Sequence, residues 1–388
     1  MDTPRQIVTV TLLGFTSLRS RFWPSLVIVI GMACAIGVLV STLSLAVGYV
    51  QLERRSGDPG RAIVLAATAD SEGLSGIPRD SIGPIMDAPG IRKDPDGSSV
   101  ADAEFISTFR ASRKPSGMTL LVLRGIGRKG LELRPELKIV AGRMFRPGAR
   151  ELIVGVAAQE QFDHLNVGEN VIMPDGEWPV VGSFSTGGDL LEGQLIGDAD
   201  TLMSAARKKN FNSVLVRLDT PDSLDVLQQA LSANAALNVR AERQSDYYQR
   251  TSQDTAGFFR AVAFAVGGIM ALGALFGALN TMYSAVAART QEIGTLRALG
   301  FSGAAVAISV IAEALLLALI GALIGGALAW LAFDGERYAF GATLFNLTVT
   351  LGLIGLGIGW ALIVAFLGGL LPAIRAARLT IVEALRST

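Results

Sequence analysis

The sequence is poor in the residues on which metal sites and many catalytic sites depend. Its 388 residues include one cysteine, Cys34, and one histidine, His164. A single cysteine excludes an internal disulfide and a cysteine-based metal site. A lone histidine beside Asp163 is more typical of a surface side chain than of a metal ligand or a catalytic base. We therefore predict no metal site and no catalytic residues.

Sequence motifs for nucleotide binding and hydrolysis are also missing. No G-x-x-x-x-G-K-[ST] segment occurs, so nothing predicts the phosphate-binding loop of an ATPase. The glycine-rich stretch 125–130 lacks the closing Lys-Ser/Thr pair, and we interpret it as a turn. G-x-S-x-G and H-E-x-x-H are absent too. We predict that the chain is not an enzyme by itself and holds no cofactor.

Charged residues are scarce, and the positive and negative side chains are equal in number. Only 18% of the residues are charged and 50% are hydrophobic, with a mean hydropathy of +0.45, which is too apolar for an ordinary soluble domain. The zero net charge gives no sign of nucleic-acid binding. Four apolar runs, 23–48, 257–288, 304–333 and 346–371, each exceed the roughly 20 residues that span a bilayer. We predict four transmembrane helices.

Arginines near the ends of these runs predict the orientation of the chain. They precede the first run, connect the second to the third and follow the fourth, whereas the connection after the third run has no positive excess. These arginines are Arg5, Arg19, Arg21, Arg289, Arg297, Arg375, Arg378 and Arg386. The positive-inside rule then puts both termini in the cytosol and residues 52–245 outside. The first run is too long for a cleaved signal and reads as a retained anchor, with a cleaved signal as the alternative.

Residues 52–245 have the composition of a water-soluble domain. Runs rich in Val, Ile and Leu predict strands at 61–67, 119–125, 151–155, 178–184, 213–218 and 237–241. Helical patterns occur at 156–162, 200–209 and 223–233. Strands that alternate with helices predict an α/β or α+β domain. Glycine- and proline-rich stretches at 71–99 and 142–148 predict loops.

Two polar segments connect this domain to its spans. Residues 246–259 contain no proline and run directly into the second span, and the first span ends through residues 49–55. Two helices that continue past the bilayer would form a stalk able to carry rigid motion. The alternative is a plain linker.

The segment between the second and third spans carries Ile293, Leu296 and Leu299 at helical spacing and stops at Gly300. This pattern predicts a short amphipathic helix on the cytosolic side. One interpretation is a simple interfacial helix. The other is a lever that docks on a cytosolic partner.

Inside the third span lies one carboxylate, Glu313, about 13 Å from the cytosolic end at 1.5 Å per residue. Such a residue is a functional hypothesis by default. Asn280 lies at a similar depth in the second span, so we predict an interhelical polar clamp between the two. A proton relay is the alternative, but no second carboxylate lies in the spans. The pairs Gly321/Gly325 and Gly355/Gly359 would allow close helix packing.

At residues 289–302, R-T-Q-E-I-G-T-L-R-A-L-G-F-S resembles the coupling region of the MacB/FtsX family of ABC transporter permeases, the type VII transporters. The tail 371–386, L-P-A-I-R-A-A-R-L-T-I-V-E-A-L-R, resembles the C-terminal signature of that family. Weaker similarity occurs at 140–145, 151–155 and 166–168. The resemblance assigns coupling to an ATPase to Arg289, Glu292, Ile293, Gly294, Leu296, Arg297, Ala298, Leu299 and Gly300. The signature residues are Pro372, Arg375, Arg378, Glu383, Leu385 and Arg386.

The resemblance implies a permease subunit in the bacterial inner membrane, paired with a second copy or a paralogue. Cytosolic ABC ATPase subunits would bind ATP and Mg²⁺, and a periplasmic adaptor is an expected partner. The N-terminal segment 1–22 leaves no room for a fused ATPase, so the ATPase is expected to be a separate chain. The family's outer domain has two lobes, and we map the inserted lobe to about 120–210.

The expected organisation is four transmembrane α-helices plus one large, two-lobed extracytosolic α/β (α+β) domain between the first and second. Its segments are 1–22 (cytosolic), 23–51 (helix 1 and stalk), 52–245 (outer domain), 246–288 (stalk and helix 2), 289–302 (coupling helix), 303–333 (helix 3), 346–371 (helix 4) and 372–388 (cytosolic tail). The resemblance implies mechanotransmission that exports or extracts a substrate. The alternatives are an FtsX-like regulator of a cell-wall hydrolase, a lipoprotein-releasing permease and, more remotely, a secondary transporter.

Overall fold

A computed structural model of the chain describes residue 11 and residues 22–114, 117–173, 175–340 and 343–379. Most of the predicted segment 1–22 and the signature residues Glu383, Leu385 and Arg386 lie outside the described residues. The chain forms two compact units. We call the unit of residues 1–48, 256–336 and 346–388 the helical unit, and the unit of residues 49–255 and 337–345 the large domain.

Helices and strands are interspersed along the described part of the chain. The helices are α1 (Phe22–Ser56), α2 (Arg79–Met86), α3 (Val156–Gln161), α4 (Ala199–Ala205), α5 (Ser223–Ala233), α6 (Gln244–Ala288), α7 (Thr290–Ala298), α8 (Gly303–Phe333) and α9 (Leu351–Arg378). The strands are β1 (Arg61–Ala66), β2 (Ile77–Pro78), β3 (Ala101–Ser112), β4 (Met118–Ile126), β5 (Lys138–Gly142), β6 (Leu152–Gly155), β7 (Asn170–Met173), β8 (Gly176–Ser185), β9 (Gln194–Asp198), β10 (Asn210–Phe211), β11 (Ser213–Arg217), β12 (Val239–Arg243), β13 (Arg337–Phe340) and β14 (Thr343–Asn346).

Four of the helices, α1, α6, α8 and α9, are long and apolar enough to cross a membrane by length and composition. This confirms the expected four-helix membrane architecture, with the first helix preceding the large domain. In an apolar surrounding no water can bond the backbone, so its polar groups must pair within a helix. Polar caps begin two of these helices: Ser302 accepts the N–H of Ala305, and Thr350 accepts the N–H of Leu353.

Helices α1 and α8 approach closely through the first predicted glycine pair. A Cβ atom on Gly321 would lie 2.6 Å from the carbonyl oxygen of Val29, and one on Gly325 would lie 2.3 Å from that of Ala33. Both distances are far shorter than van der Waals contact. The two glycines therefore allow the backbones of α1 and α8 to touch, as small residues do in membrane helix pairs.

The second predicted pair behaves differently. No described atom lies within 4 Å of where a Cβ would stand on Gly355 or Gly359. Gly357, between them, is the glycine of α9 that faces α1, since a Cβ there would lie 2.9 Å from the side chain of Ile36. The spacing pattern thus identified one packing pair and missed the register of the other.

The large domain is built on a ten-stranded sheet in the order β12-β1-β11-β3-β4-β9-β6-β8-β5, with β7 paired to β8. Most neighbours are antiparallel, and β4/β9 and β6/β8 are parallel. The six strands of residues 118–198 (β4 to β9) lie together on one side of this sheet. The segment expected to form an inserted lobe therefore shares its sheet with the rest of the domain.

A single large apolar cluster joins the sheet to its helices. Trp178 and Phe162 are among its largest buried side chains, and Trp178 Nε1 donates to Asp175 at 3.1 Å. The helices predicted at 156–162, 200–209 and 223–233 appear as α3, α4 and α5. Helix α2 and strand β2 lie in the stretch 71–99, which the sequence predicted as loop.

The core of the large domain also contains buried charges. Arg124 contacts Glu72 at 3.1 Å and also pairs with Glu104, whose other oxygen lies 2.6 Å from Arg134. Asp102 is buried beside them. Buried charges are tolerated when they are paired and hydrogen-bonded, because pairing offsets the free energy of desolvation.

Asp102 is the exception in this cluster. Burial raises the pKa of the Asp102 carboxyl to about 7, and the charge of Glu104 adds to the rise. A hydrogen bond of 2.7 Å from the Gly127 N–H acts in the opposite direction. The folded domain therefore holds a proton on Asp102 at pH values where an unfolded chain, with a pKa of about 3.9, has released it.

We expect Gly325→Ala to destabilise the helical unit by about 1–3 kcal/mol, because its methyl group would overlap the backbone of α1. Gly355→Ala is the matched control, since it adds the same methyl group to a membrane helix in open space. Thermal unfolding of the purified chain in detergent measures both. Equal unfolding temperatures for the two variants would contradict the α1–α8 contact.

Asp102 should make stability depend on pH. Its folded-state pKa is raised, so its contribution is present below about pH 4 and is lost as the pH rises through about 7. Asp102→Asn stays neutral and keeps an acceptor for Gly127, so we expect it to exceed wild type at pH 8 by about 1–3 kcal/mol and to match it near pH 4.

Thermal unfolding of the full chain across this pH range tests the prediction. Asp87→Asn is the control, because Asp87 is an exposed carboxylate of the same domain. An unchanged difference between wild type and Asp102→Asn at pH 4 and pH 8 would refute it.

Candidate functional site

The segment expected to form the coupling helix is helical in the structure, and its ends are well defined. Helix α6 stops at Ala288, Arg289 takes a non-helical conformation, and α7 begins at Thr290. At the other end, the Gly300 N–H donates to the carbonyl of Arg297 and the Phe301 N–H to that of Leu296. This is the Schellman arrangement, which requires a left-handed residue. Gly300 supplies it with φ +93°.

One face of α7 is built into the helical unit. Ile293 and Gly294 are buried, and Ile293 belongs to an apolar cluster with Met282, Val286 and Val310. This packing holds α7 against α6 and α8.

Arg297 lies on the inner face of α7, the face that packs within the helical unit. Its Nη1 donates to the carbonyl of Ala377 in α9 at 3.0 Å, and a Cβ on Gly303 would lie 2.3 Å from that nitrogen. Arg297 therefore joins α7 to the end of α9, although the family resemblance counts it among the residues that meet an ATPase.

The other face of α7 is open. Glu292, Thr295, Ala298, Leu299 and Gly300 are exposed, and Leu299 is 73% exposed. The sequence grouped Leu299 with Ile293 and Leu296 on one apolar face. The structure instead separates a buried Ile293, a half-buried Leu296 and an exposed Leu299.

The described part of the C-terminal signature belongs to α9. Pro372 is buried in the last turns of the helix. The guanidinium of Arg375 lies 5.7 Å from the centre of the Tyr283 ring, a cation–π geometry. Arg378 is exposed.

Glu313 has a different partner from the predicted one. Its carboxylate accepts a hydrogen bond of 2.7 Å from Arg289 Nη1, and the two side chains are 5% and 11% exposed. Asn280 is exposed instead. The long arginine side chain reaches from the end of α6 into α8, which a comparison of depths along the helices could not reveal. Arg289 Nε also contacts Glu292 at 3.0 Å.

The space around this ion pair is small. The cavity measures about 20 Å³, room for about one water molecule. Among the described residues, no group of three His, Cys, Asp or Glu side chains could hold a metal ion. The arrangement is a packed joint between helices and not a substrate pocket.

At the large domain, the first turns of α6 are tied to the sheet. The Tyr247 hydroxyl accepts the backbone N–H of Glu72 at 3.0 Å, and the ring packs against Ile63 and Leu65 of β1. Gln244 Oε1 accepts the N–H of Asp58 at 3.2 Å. The segment expected to be a stalk is thus helical and bonded into the domain.

The last turn of α1 lies beside the first turn of α6. A Cβ on Gly57 would lie 2.6 Å from Cα of Ser245, so only a glycine permits this approach. Ser56 Oγ accepts the N–H of Leu190 at 3.0 Å. The ends of α1 and α6 therefore meet within the large domain. We call residues 49–57 and 244–251 the stalk roots.

The stalk roots border the buried charges. Burial by itself would raise the pKa of Glu72, but Arg124 and the hydroxyl of Ser213 hold it below its usual range. Burial likewise opposes the charge of Arg124, and the two carboxylates raise its pKa above the usual value. Both groups stay ionised. The sequence did not reveal this network, because its members lie far apart along the chain.

Two family descriptions match this chain. Residues 25–234 match the MacB-like periplasmic core domain, and residues 264–381 match the FtsX-like permease C-terminal domain. The first match extends over more than half of the chain.

Curated relatives include two bacterial proteins. The macrolide export ATP-binding/permease protein MacB of Nitrobacter winogradskyi is 30% identical over 194 residues, which are 46% of this chain and 28% of the relative. The uncharacterized ABC transporter permease YknZ of Bacillus subtilis is 22% identical over 395 residues, which cover 96% of this chain and 98% of the relative. The match thus spans less than a third of the length of that MacB.

Solved structures similar to the chain include two isolated domains. The extracellular domain of the noncanonic ABC-type transporter YknZ from Gram-positive bacteria has a TM-score of 0.37 at 14% identity and covers 47% of this chain and 99% of that domain. The periplasmic region of MacB from Actinobacillus actinomycetemcomitans has a TM-score of 0.37 at 14% identity, with coverages of 52% and 95%. By its two domain matches, the chain belongs to the MacB/FtsX-like family of ABC transporter permeases.

Proposed function

We propose that this chain is the membrane subunit of an ABC transporter that exports or extracts a substrate by mechanotransmission. It lies in the bacterial inner membrane with both termini in the cytosol and the large domain on the outer side. The arginine-rich ends of the helical unit support this orientation. The MacB-like core domain supports a transporter over an FtsX-like regulator of a cell-wall hydrolase.

The observation that carries the proposal is the two-faced construction of α7. Its inner face is anchored by Ile293 and Arg297, while Glu292 and Leu299 are exposed on its outer face. An exposed apolar side chain on an anchored helix suits docking in a groove of a partner. The partner is a separate cytosolic ATPase, which binds ATP and Mg²⁺.

The rigid connections around α7 support transmission of motion. Movement of α7 is transmitted to α8 through the Arg289–Glu313 pair and to α9 through the hydrogen bond of Arg297. Helix α6 runs without a break from Gln244 to Ala288, so movement at its cytosolic end is delivered to its stalk root. The working unit is a dimer, formed either by two copies of this chain or by this chain and a paralogue. A periplasmic adaptor is a further partner of this dimer.

We expect Leu299→Asp to prevent recovery of the ATPase with this chain. A charge on the exposed apolar side chain would have to be desolvated in the partner's groove. The measurement is purification from native membranes in mild detergent, with P-loop proteins identified by mass spectrometry and ATP hydrolysis measured. Leu74→Asp is the matched control, because Leu74 is a similarly exposed leucine of the large domain.

Wild type and Leu74→Asp should be purified together with an active ATPase. For Leu299→Asp the amount of co-purified ATPase should fall by at least about 90%, which corresponds to a loss of about 1.4 kcal/mol of binding free energy. Recovery of no ATPase with wild type would overturn the proposed function. Equal recovery with Leu299→Asp would overturn the docking face.

A second prediction concerns Glu313. Glu313→Gln can still accept from Arg289, so we expect it to retain stability and ATP-coupled activity. Glu313→Ala removes the buried partner of Arg289 and leaves it only the exposed carboxylate of Glu292, so it should destabilise the helical unit by about 1–3 kcal/mol. Thermal unfolding and ATPase assays of the complex measure the two effects. Loss of coupling in a stable Glu313→Gln variant would favour a proton relay over a clamp.

A further inference from the structure

The large domain contains an open cavity that the transmission mechanism does not use. It lies between β3, β4, the end of β7 and the C-terminal end of α4, and its volume is about 540 Å³. Small-molecule sites in proteins measure roughly 300–1,000 Å³. The cavity is therefore large enough for an organic ligand, in contrast to the space of about 20 Å³ around Glu313.

The floor of the cavity is apolar. Phe109, Leu123, Met173 and Leu202 line it, and all four belong to the main apolar cluster of the domain or pack against it. Side chains that are fixed in the core form a rigid, preformed wall. Such a wall favours an apolar ligand body, since binding removes its surface from water.

The rim of the cavity is basic. Arg207 and Lys208 line it and are exposed, and neither side chain has a described hydrogen bond or ion pair within the described part of the chain. The acidic residue at the rim, Asp175, accepts from Trp178 at 3.1 Å through Oδ1; its Oδ2 has no hydrogen-bond partner among the described residues, but it lies 3.6 Å from Arg150, which offsets its charge. The cations that remain unpaired at the mouth therefore favour an anionic ligand group.

Arg207 occupies a position that disfavours its side chain. The N–H groups of Arg207 and Lys208 donate to the carbonyls of Ser204 and Met203, so α4 ends in a Schellman motif like that of α7. At the equivalent position α7 has Gly300, whereas α4 has an arginine with φ +53°. A side chain in this conformation is less favourable than glycine, because its Cβ crowds the following carbonyl oxygen. The strained residue therefore stands at the rim of the cavity.

We propose that this cavity binds a small amphiphilic anion, with its apolar body against Phe109, Leu123 and Met173 and its acidic group at Arg207 and Lys208. The concave shape and the volume favour a small molecule over a protein surface. The proposal is independent of the ATPase and of the transmission mechanism.

Photolabelling of the full chain tests this site. The chain is reconstituted in nanodiscs of zwitterionic lipid and exposed to dodecanoic acid that carries a diazirine in its chain. Labelled peptides are then located by mass spectrometry. Diazirine-bearing dodecylamine and dodecanol are the matched probes, because they share the apolar body and differ in the charge of the head group.

We expect the acid to label the peptides around Phe109, Leu123 and Met173 about tenfold more than the amine or the alcohol, a ratio equivalent to about 1.4 kcal/mol. Arg207→Gln/Lys208→Gln should remove this preference. Arg92→Gln/Lys93→Gln is the control, since it neutralises another adjacent pair of exposed basic residues in the same domain and should have no effect.

Two further variants separate binding from folding. Arg207→Gly should weaken labelling and raise the thermal stability of the domain, because it relieves the left-handed strain. Ala205→Trp should fill the cavity and abolish labelling without a change in charge. Equal labelling by all three probes, or unchanged labelling in Arg207→Gln/Lys208→Gln, would overturn the proposal. Absence of label from these peptides would also overturn it.

Discussion

Backbone hydrogen bonding in an apolar surrounding is the constraint on which the rest of this structure depends. Because no water is available in a bilayer core, each crossing must be a helix that satisfies its own N–H and C=O groups. Helix α6 meets this requirement without a break from Gln244 to Ala288. Its first turns are bonded to the large domain through Tyr247, and beyond its end Arg289 pairs with Glu313.

In a membrane the hydrophobic effect does not hold helices against one another, so other interactions must do so. In the helical unit these interactions are close backbone packing and an ion pair. Gly321 and Gly325 let α8 touch the backbone of α1, and the Arg289–Glu313 pair adds a directional contact at the joint with α7. Removing one member of such a buried pair is strongly unfavourable, so the joint resists separation. The same principle operates in the large domain, where the Arg124 cluster borders the stalk roots.

Much of the architecture could be predicted from local pattern. Long apolar runs are sufficient for the four membrane helices, and runs of Val, Ile and Leu predicted β1, β4, β6, β8, β11 and β12. Strand β3, at Ala101–Ser112, was missed because Asp102, Glu104 and several hydroxyl residues make it look polar. Glu104 pairs with the buried Arg124 and Arg134, which lie on other segments of the chain. The helix α2 was missed because Gly83 and Pro84 read as loop.

The sequence by itself determined the membrane crossings, the position of α7 and its end at Gly300, because these depend on composition and on residues close together in the chain. Tertiary structure decided which residues of α7 are exposed, and it separated Arg297, which bonds to α9, from Leu299. It also decided that Glu313 pairs with Arg289 and not with Asn280, and that Gly325 packs while Gly355 does not. These outcomes depend on which helix faces meet, and that is set by long-range packing, which no local spacing encodes.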